Sequence, residues 1–113
     1  MGDTNYFSGI VKILENPIQK INKNKTVVTK FRVEIPEIRK SKIVCLISWG
    51  NLASTIKNYY QINDYILIEG YISIQNERKF NLKVKNRRPI TITVLKVYPF
   101  LLKSNRSINK IGN

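Results

Sequence analysis

Ile43-Val44-Cys45-Leu46-Ile47-Ser48-Trp49-Gly50-Asn51-Leu52-Ala53 opens the stretch that decides the fold. It continues to Tyr60 and closes on Tyr65-Ile66-Leu67-Ile68-Glu69-Gly70-Tyr71-Ile72-Ser73-Ile74. Ile43 to Trp49 is an apolar run rich in β-branched residues, the composition of a strand. Leu52, Ile56 and Tyr59 or Tyr60 then recur at helical spacing, so residues 51–60 read as a short helix with Asn51 as its N-cap. Asn63-Asp64 marks a turn. Tyr65 to Ile74 is again a strand, with Ile66, Ile68, Ile72 and Ile74 inward, and Gly70 interrupts it as glycine does at a bulge or a barrel bend.

Outward from this unit the pattern is strands. Tyr6 to Leu14 is a first strand, closed by Glu15-Asn16-Pro17, where proline removes a donor and restricts the residue before it. Asn22 to Lys25 is a polar turn. Val27 to Ile35 alternates cleanly: Phe31, Val33 and Ile35 on one face, Lys30, Arg32 and Glu34 on the other. Pro36 ends it. Ile43 to Trp49 is apolar on both faces, so it needs a core beneath and a partner subunit or ligand above. Phe80, Leu82 and Val84 alternate with Asn81, Lys83 and Lys85 as the returning arm of a hairpin, and Ile90 to Tyr98 is a last strand stopped by Pro99. The pattern predicts an all-β fold, a five-stranded oligonucleotide-binding (OB) barrel with one short helix between strands 3 and 4. Residues 1–102 form the domain, and 103–113, polar and without an apolar period, form a flexible basic tail.

Composition sets the class of partner. The chain has 113 residues, room for one modest core. Twenty basic against seven acidic residues give a net charge of +13, and Arg78 to Asn113 contains no Asp or Glu. Such a balance points to a polyanion. No run reaches the length of a membrane span, and the N-terminus lacks a secretory pattern. The single cysteine, Cys45, reads as a small core residue. The abundance of Ile, Lys and Asn hints at an AT-rich coding genome such as an organelle's.

Enzyme chemistry finds little material. There is no histidine, the commonest general base, and one cysteine cannot build a zinc site. No glycine loop could cradle a phosphate, so neither catalysis nor a cofactor is expected. Nucleic-acid chemistry is better supplied, because a single strand is gripped by cations for its phosphates and aromatic platforms for its bases. Lys30 and Arg32 project from one strand face. Lys79, Lys83, Lys85, Arg87 and Arg88 decorate the hairpin and the loop after it. Trp49, Tyr71, Phe80, Tyr6 and Tyr98 are candidate platforms. Phe31 and Phe80, in register with aliphatic neighbours, also fit a core; Trp49 and Tyr71 suit a half-exposed barrel rim equally well.

Gly9-Ile10-Val11-Lys12-Ile13-Leu14 with Pro17, Phe31-Arg32-Val33, Ser48-Trp49-Gly50-Asn51-Leu52-Ala53 and Ile68-Glu69-Gly70 occur in that order. Together they resemble the bacterial-type single-stranded DNA-binding protein family across residues 5–100. Short members of that kind include primosomal replication protein N and plastid-encoded proteins. The resemblance implies the same barrel, assembly as a homodimer or homotetramer, and a base-stacking role for Trp49 before its glycine. A family tryptophan at the start of the third strand corresponds to Ile43, and one in the hairpin after Glu-Gly has no counterpart near Glu77, so charge is expected to carry more of the grip. The family's acidic tip has no counterpart in the basic residues from Lys103.

The expected function is therefore non-catalytic, sequence-tolerant binding of single-stranded DNA in replication or repair, in a plastid or a bacterial cytoplasm. The alternative is an RNA-binding module or a replication-complex adaptor. A third class is an oligomeric structural protein whose apolar Ile43 to Ile47 face serves subunit contact alone.

Overall fold

Alternation decides which side chains enter the centre. Val11 and Ile13, Phe31 and Val33, Val44 and Leu46, Ile66 and Ile68, and Ile92 and Val94 are two-residue steps on five strands, and together with Ile56 they form one buried cluster. The strands are β1 (Tyr6–Ile13), β2 (Ile18–Ile21), β3 (Val27–Ile35), β4 (Lys42–Trp49), β5 (Tyr65–Ile74) and β6 (Ile90–Leu101), with α1 (Gly50–Tyr59) between β4 and β5. The structure is a computed structural model and describes residues 5–37, 39–74 and 90–103. The strand order is β1-β5-β6-β4-β3-β2, and β1 also pairs with β3, closing a barrel of the five long strands. This is the expected architecture, the OB barrel, with its helix in the expected place.

The short β2 was not foreseen. All four of its residues are exposed, so it has no apolar alternation to read. It exists because the expected turn at Asn22–Lys25 folds it back on β3: the Asn22 N–H donates to the Thr26 carbonyl at 2.9 Å, and Lys25 adopts φ 64°. The last strand also departs from expectation. It runs through Pro99 to Leu101, with Pro99 opposite Ile66 beside a register shift. An irregular ladder position tolerates a residue with no N–H to give.

The helix begins one residue early. Trp49, not Asn51, occupies the N-cap, and no side chain caps the first turn. Gly50 makes this possible: its φ of +66° lets the chain turn straight from β4 into α1, a conformation side-chain-bearing residues avoid. Ala53 and Ile56 are buried under the helix, and the Thr29 hydroxyl donates to the Ala53 carbonyl at 2.9 Å, tying α1 to β3. Leu52 and Tyr60 pack on the core, while Tyr59 faces outward. In β5, Ile66 and Ile68 are buried and Ile72 packs against the cluster, as expected; the side chain of Ile74 lies outside the described residues.

Buried Asp64 organises the base of the barrel. Its carboxylate accepts from the backbone N–H of Gln61 and of Lys103, each at 2.9 Å, and its carbonyl accepts from Ile13. One residue, through its side chain and its carbonyl, thereby fastens the entry to β5, the end of β1 and the exit of β6. Buried polar groups persist where they are satisfied in this way.

Candidate nucleic-acid interface

Directly opposed residues in a ladder share a face. Lys30 stands opposite Ile47, Arg32 opposite Cys45, and Val28 opposite Trp49. The outward positions of β3 and β4 therefore bring Lys30, Arg32, Ile43, Cys45, Ile47 and Trp49 onto one surface. Trp49 is 44% exposed and Ile43 61%. Within the described chain nothing covers Ile43 and Trp49, which leaves open the upper face that the sequence assigns to a partner or ligand. The Gly50 turn and the docked helix fix the backbone of Trp49 at the strand end.

The surface extends on both sides. β2 places Ile18 opposite Lys30 and Lys20 opposite Val28. β6 places Thr91 opposite Cys45 and Thr93 opposite Ile47, and β5 places Tyr71 opposite Thr93. Tyr71 thus lies on the transverse row of Lys30 and Ile47, two strands beyond Ile47, or about 10 Å along the surface at the usual strand spacing. It is 48% exposed and meets Tyr6 edge-on, ring centroids 5.6 Å apart. The Tyr6 hydroxyl donates to Glu69 Oε1 at 2.9 Å, a bond that raises the Tyr6 pKa.

Four of the sequence-predicted residues, Trp49, Lys30, Arg32 and Tyr71, are therefore gathered on one transverse band. Lys79, Phe80, Lys83, Lys85, Arg87 and Arg88 lie outside the described residues. Lys20 and Thr93 border the band, with Thr91 buried beside it, and they carried no signal of their own: a lysine in an exposed tetrapeptide and two threonines in a strand look ordinary. Cys45 corrects an expectation. It is half-buried on the outer face, not in the core. Burial pushes its thiol pKa up, with Lys30 pulling the other way, so it is no activated nucleophile.

Arg32 is engaged. Glu15 Oε1 lies 3.3 Å from its Nη2, and Glu15 Oε2 accepts from its backbone N–H at 2.8 Å. Among the described residues no group of three His, Cys, Asp or Glu side chains could hold a metal ion, and no helix is long and apolar enough to cross a membrane. What the band offers is a flat aromatic, a shallow apolar floor and cations at its margin, the kinds of group that single-strand binding uses for bases and phosphates.

Comparison with known proteins agrees with this geometry. The chain is 38% identical over 104 residues to the "Putative single-stranded DNA-binding protein ycf41" of Trieres chinensis, covering 88% of this chain and 92% of the relative. The chain belongs to the single-stranded DNA-binding protein family. A second family relative, the thylakoid-associated single-stranded DNA-binding protein slr1034 of Synechocystis sp., is 34% identical over 86 residues, covering 72% of this chain and 67% of its own length. No protein-family model matches the chain. Solved family structures share the fold. The small single-stranded DNA-binding protein of Streptomyces coelicolor superposes with a TM-score of 0.75 at 12% identity, covering 89% of this chain and 97% of that one. The SSB domain of a Synechococcus sp. protein gives 0.70 at 19% identity, covering 87% and 98%.

Proposed function

We propose that this protein binds single-stranded DNA without sequence preference, as a non-catalytic component of replication or repair. The observation that carries the reading is Trp49: an indole left half-exposed at the end of β4, on the face that also presents Lys30 and Arg32. Every base has a face to stack, whereas a duplex hides it. The names of the two curated relatives support the same ligand. Tyr71 supplies a second platform. Lys79, Phe80, Lys83, Lys85, Arg87 and Arg88, outside the described residues, add to the grip, and the positive charge of residues 103–113 adds to the field. A plastid or a bacterial cytoplasm is the proposed location, supported by the thylakoid association in the name of the Synechocystis relative.

The test for the ligand is competition. A labelled oligo-dT bound at low salt is challenged with unlabelled oligo-dT or oligo-U of equal length. The DNA competitor is expected to displace the label at the lower concentration. Displacement by the RNA at equal or lower concentration moves the function to RNA.

We infer also that the protein self-associates. β1 pairs with β5 from Tyr6 to Lys12, but on its other side meets β3 only at Lys12 and Ile13. From Tyr6 to Val11 that second edge has no ladder partner among the described residues. Such edges invite strand pairing, and a second copy related by a two-fold axis offers the same edge in return. A charge of +13 per subunit opposes assembly, and salt screens that repulsion. Light scattering at micromolar concentration is therefore expected to show a dimer or tetramer that tightens as salt rises. A monomer at both low and high salt contradicts this.

A further inference from the structure

Glu15 sits where β1 gives way to β2, and one residue of the candidate face uses both of its carboxylate oxygens. Oε2 accepts from the Arg32 backbone N–H at 2.8 Å, and Oε1 lies 3.3 Å from Arg32 Nη2. The ladder explains the first contact. β3 pairs with β2 as far as Lys30 and with β1 only from Val33. Arg32 falls in the gap. Its carbonyl accepts the Leu14 N–H at 3.0 Å, and its own N–H would lack a partner if the Glu15 carboxylate did not supply one. The next residue is also held, because Asn16 Oδ1 accepts from the Ile62 N–H at 2.8 Å. Glu15 is thus placed by the backbone around it and not by its attraction to the guanidinium alone.

We infer that Glu15 is a positioning residue for nucleic-acid binding that acts through Arg32: its carboxylate occupies the guanidinium where a backbone phosphate would sit. The inference rests on the reading of Lys30, Arg32 and Trp49 as the single-strand site. The guanidinium fork fits carboxylate and phosphate alike. Arg32 is consequently oriented and neutralised before the ligand arrives. A phosphate reaching it must share or displace Glu15, which then gathers counterions of its own. Binding at this point exchanges one anion for another and releases fewer ions than an unpaired arginine would. The pair is accessible, with Arg32 61% and Glu15 37% exposed, so the exchange requires no opening of the core.

Glu15→Gln separates the two contacts, since an amide oxygen still accepts from the Arg32 N–H but carries no charge. Glu37→Gln makes the same charge change at an exposed position just past the end of β3. Affinity for a labelled oligo-dT is measured by anisotropy over a salt series. E15Q is expected to bind about two- to fivefold more tightly at low salt, the usual worth of an exposed ion pair. Its log–log salt slope should steepen by about 0.7, the value of one more phosphate contact on a single strand. E37Q should change both less, and in an Arg32→Gln background E15Q should have no effect. The proposal is overturned if E15Q binds like the wild type or more weakly, if E37Q matches it, or if the effect survives R32Q. A wild-type protein that fails to bind oligo-dT at all would instead overturn the underlying reading of the site.

Discussion

Gly70→Ala is expected to cost about 3 kcal/mol or more of stability, the upper end of what overpacking causes. A Cβ at this position would lie 2.1 Å from the Thr93 carbonyl oxygen and 2.9 Å from its carbon. Both obstacles are backbone, so no rotamer change relieves them. Gly70 stands opposite Val94 at the register shift between β5 and β6, where the added residue sharpens the bend of the barrel. Admitting a methyl group means separating two strands at the centre of the closed sheet. Gly50→Ala provides the comparison. Nothing lies within 4 Å of its virtual Cβ, and its cost comes only from a φ of +66°, about 1–2 kcal/mol. Urea unfolding of the two variants should rank G70A well below G50A. A G70A protein within about 1 kcal/mol of wild type would mean that the bulge is not the tight approach described.

Trp49→Ala is expected to weaken oligo-dT binding by about 1–3 kcal/mol, the measured range for one base–aromatic stack, or roughly five- to 150-fold in Kd. Stability should change far less. The indole is 44% exposed and lies on the outer surface, away from the buried cluster. A loss of binding at an unchanged unfolding midpoint assigns Trp49 to the ligand. A large drop in the midpoint with unchanged affinity would assign it to packing.

The barrel was legible because its five long strands each carry an apolar alternation or a doubly apolar run, and because the helical spacing of Leu52, Ile56 and Tyr60 sits between two of them. β2 was illegible because Ile18 to Ile21 are all exposed: the strand exists through backbone pairing to β3, which leaves no hydrophobic period. Proline was over-read as a stop at Pro99, since a register shift accommodates the missing donor. Asn51 looked like the N-cap by residue type, but the positive φ of Gly50 moved the helix start upstream. For the site, alternation placed Lys30, Arg32 and Trp49 on the outer surface. It could not show that Arg32 is already paired. Glu15 lies seventeen residues earlier in the chain, and the contact depends on how the β1–β2 connection fills a gap in the β3 ladder. Cys45 was misplaced for a related reason. An apolar run on both faces does not say which face is inside, and the register with Arg32 decides it.

Trp49 is the only tryptophan of the chain, so its emission reports directly on the claim that this face stacks bases. The decisive measurement is titration of that emission with oligo-dT and with a duplex of equal length, at low and at high salt. Binding of single strands in the manner described predicts quenching by oligo-dT, little or none by the duplex, and an apparent affinity that falls steeply as salt rises. Equal quenching by the duplex, or an unaltered spectrum at saturating oligo-dT, would contradict it.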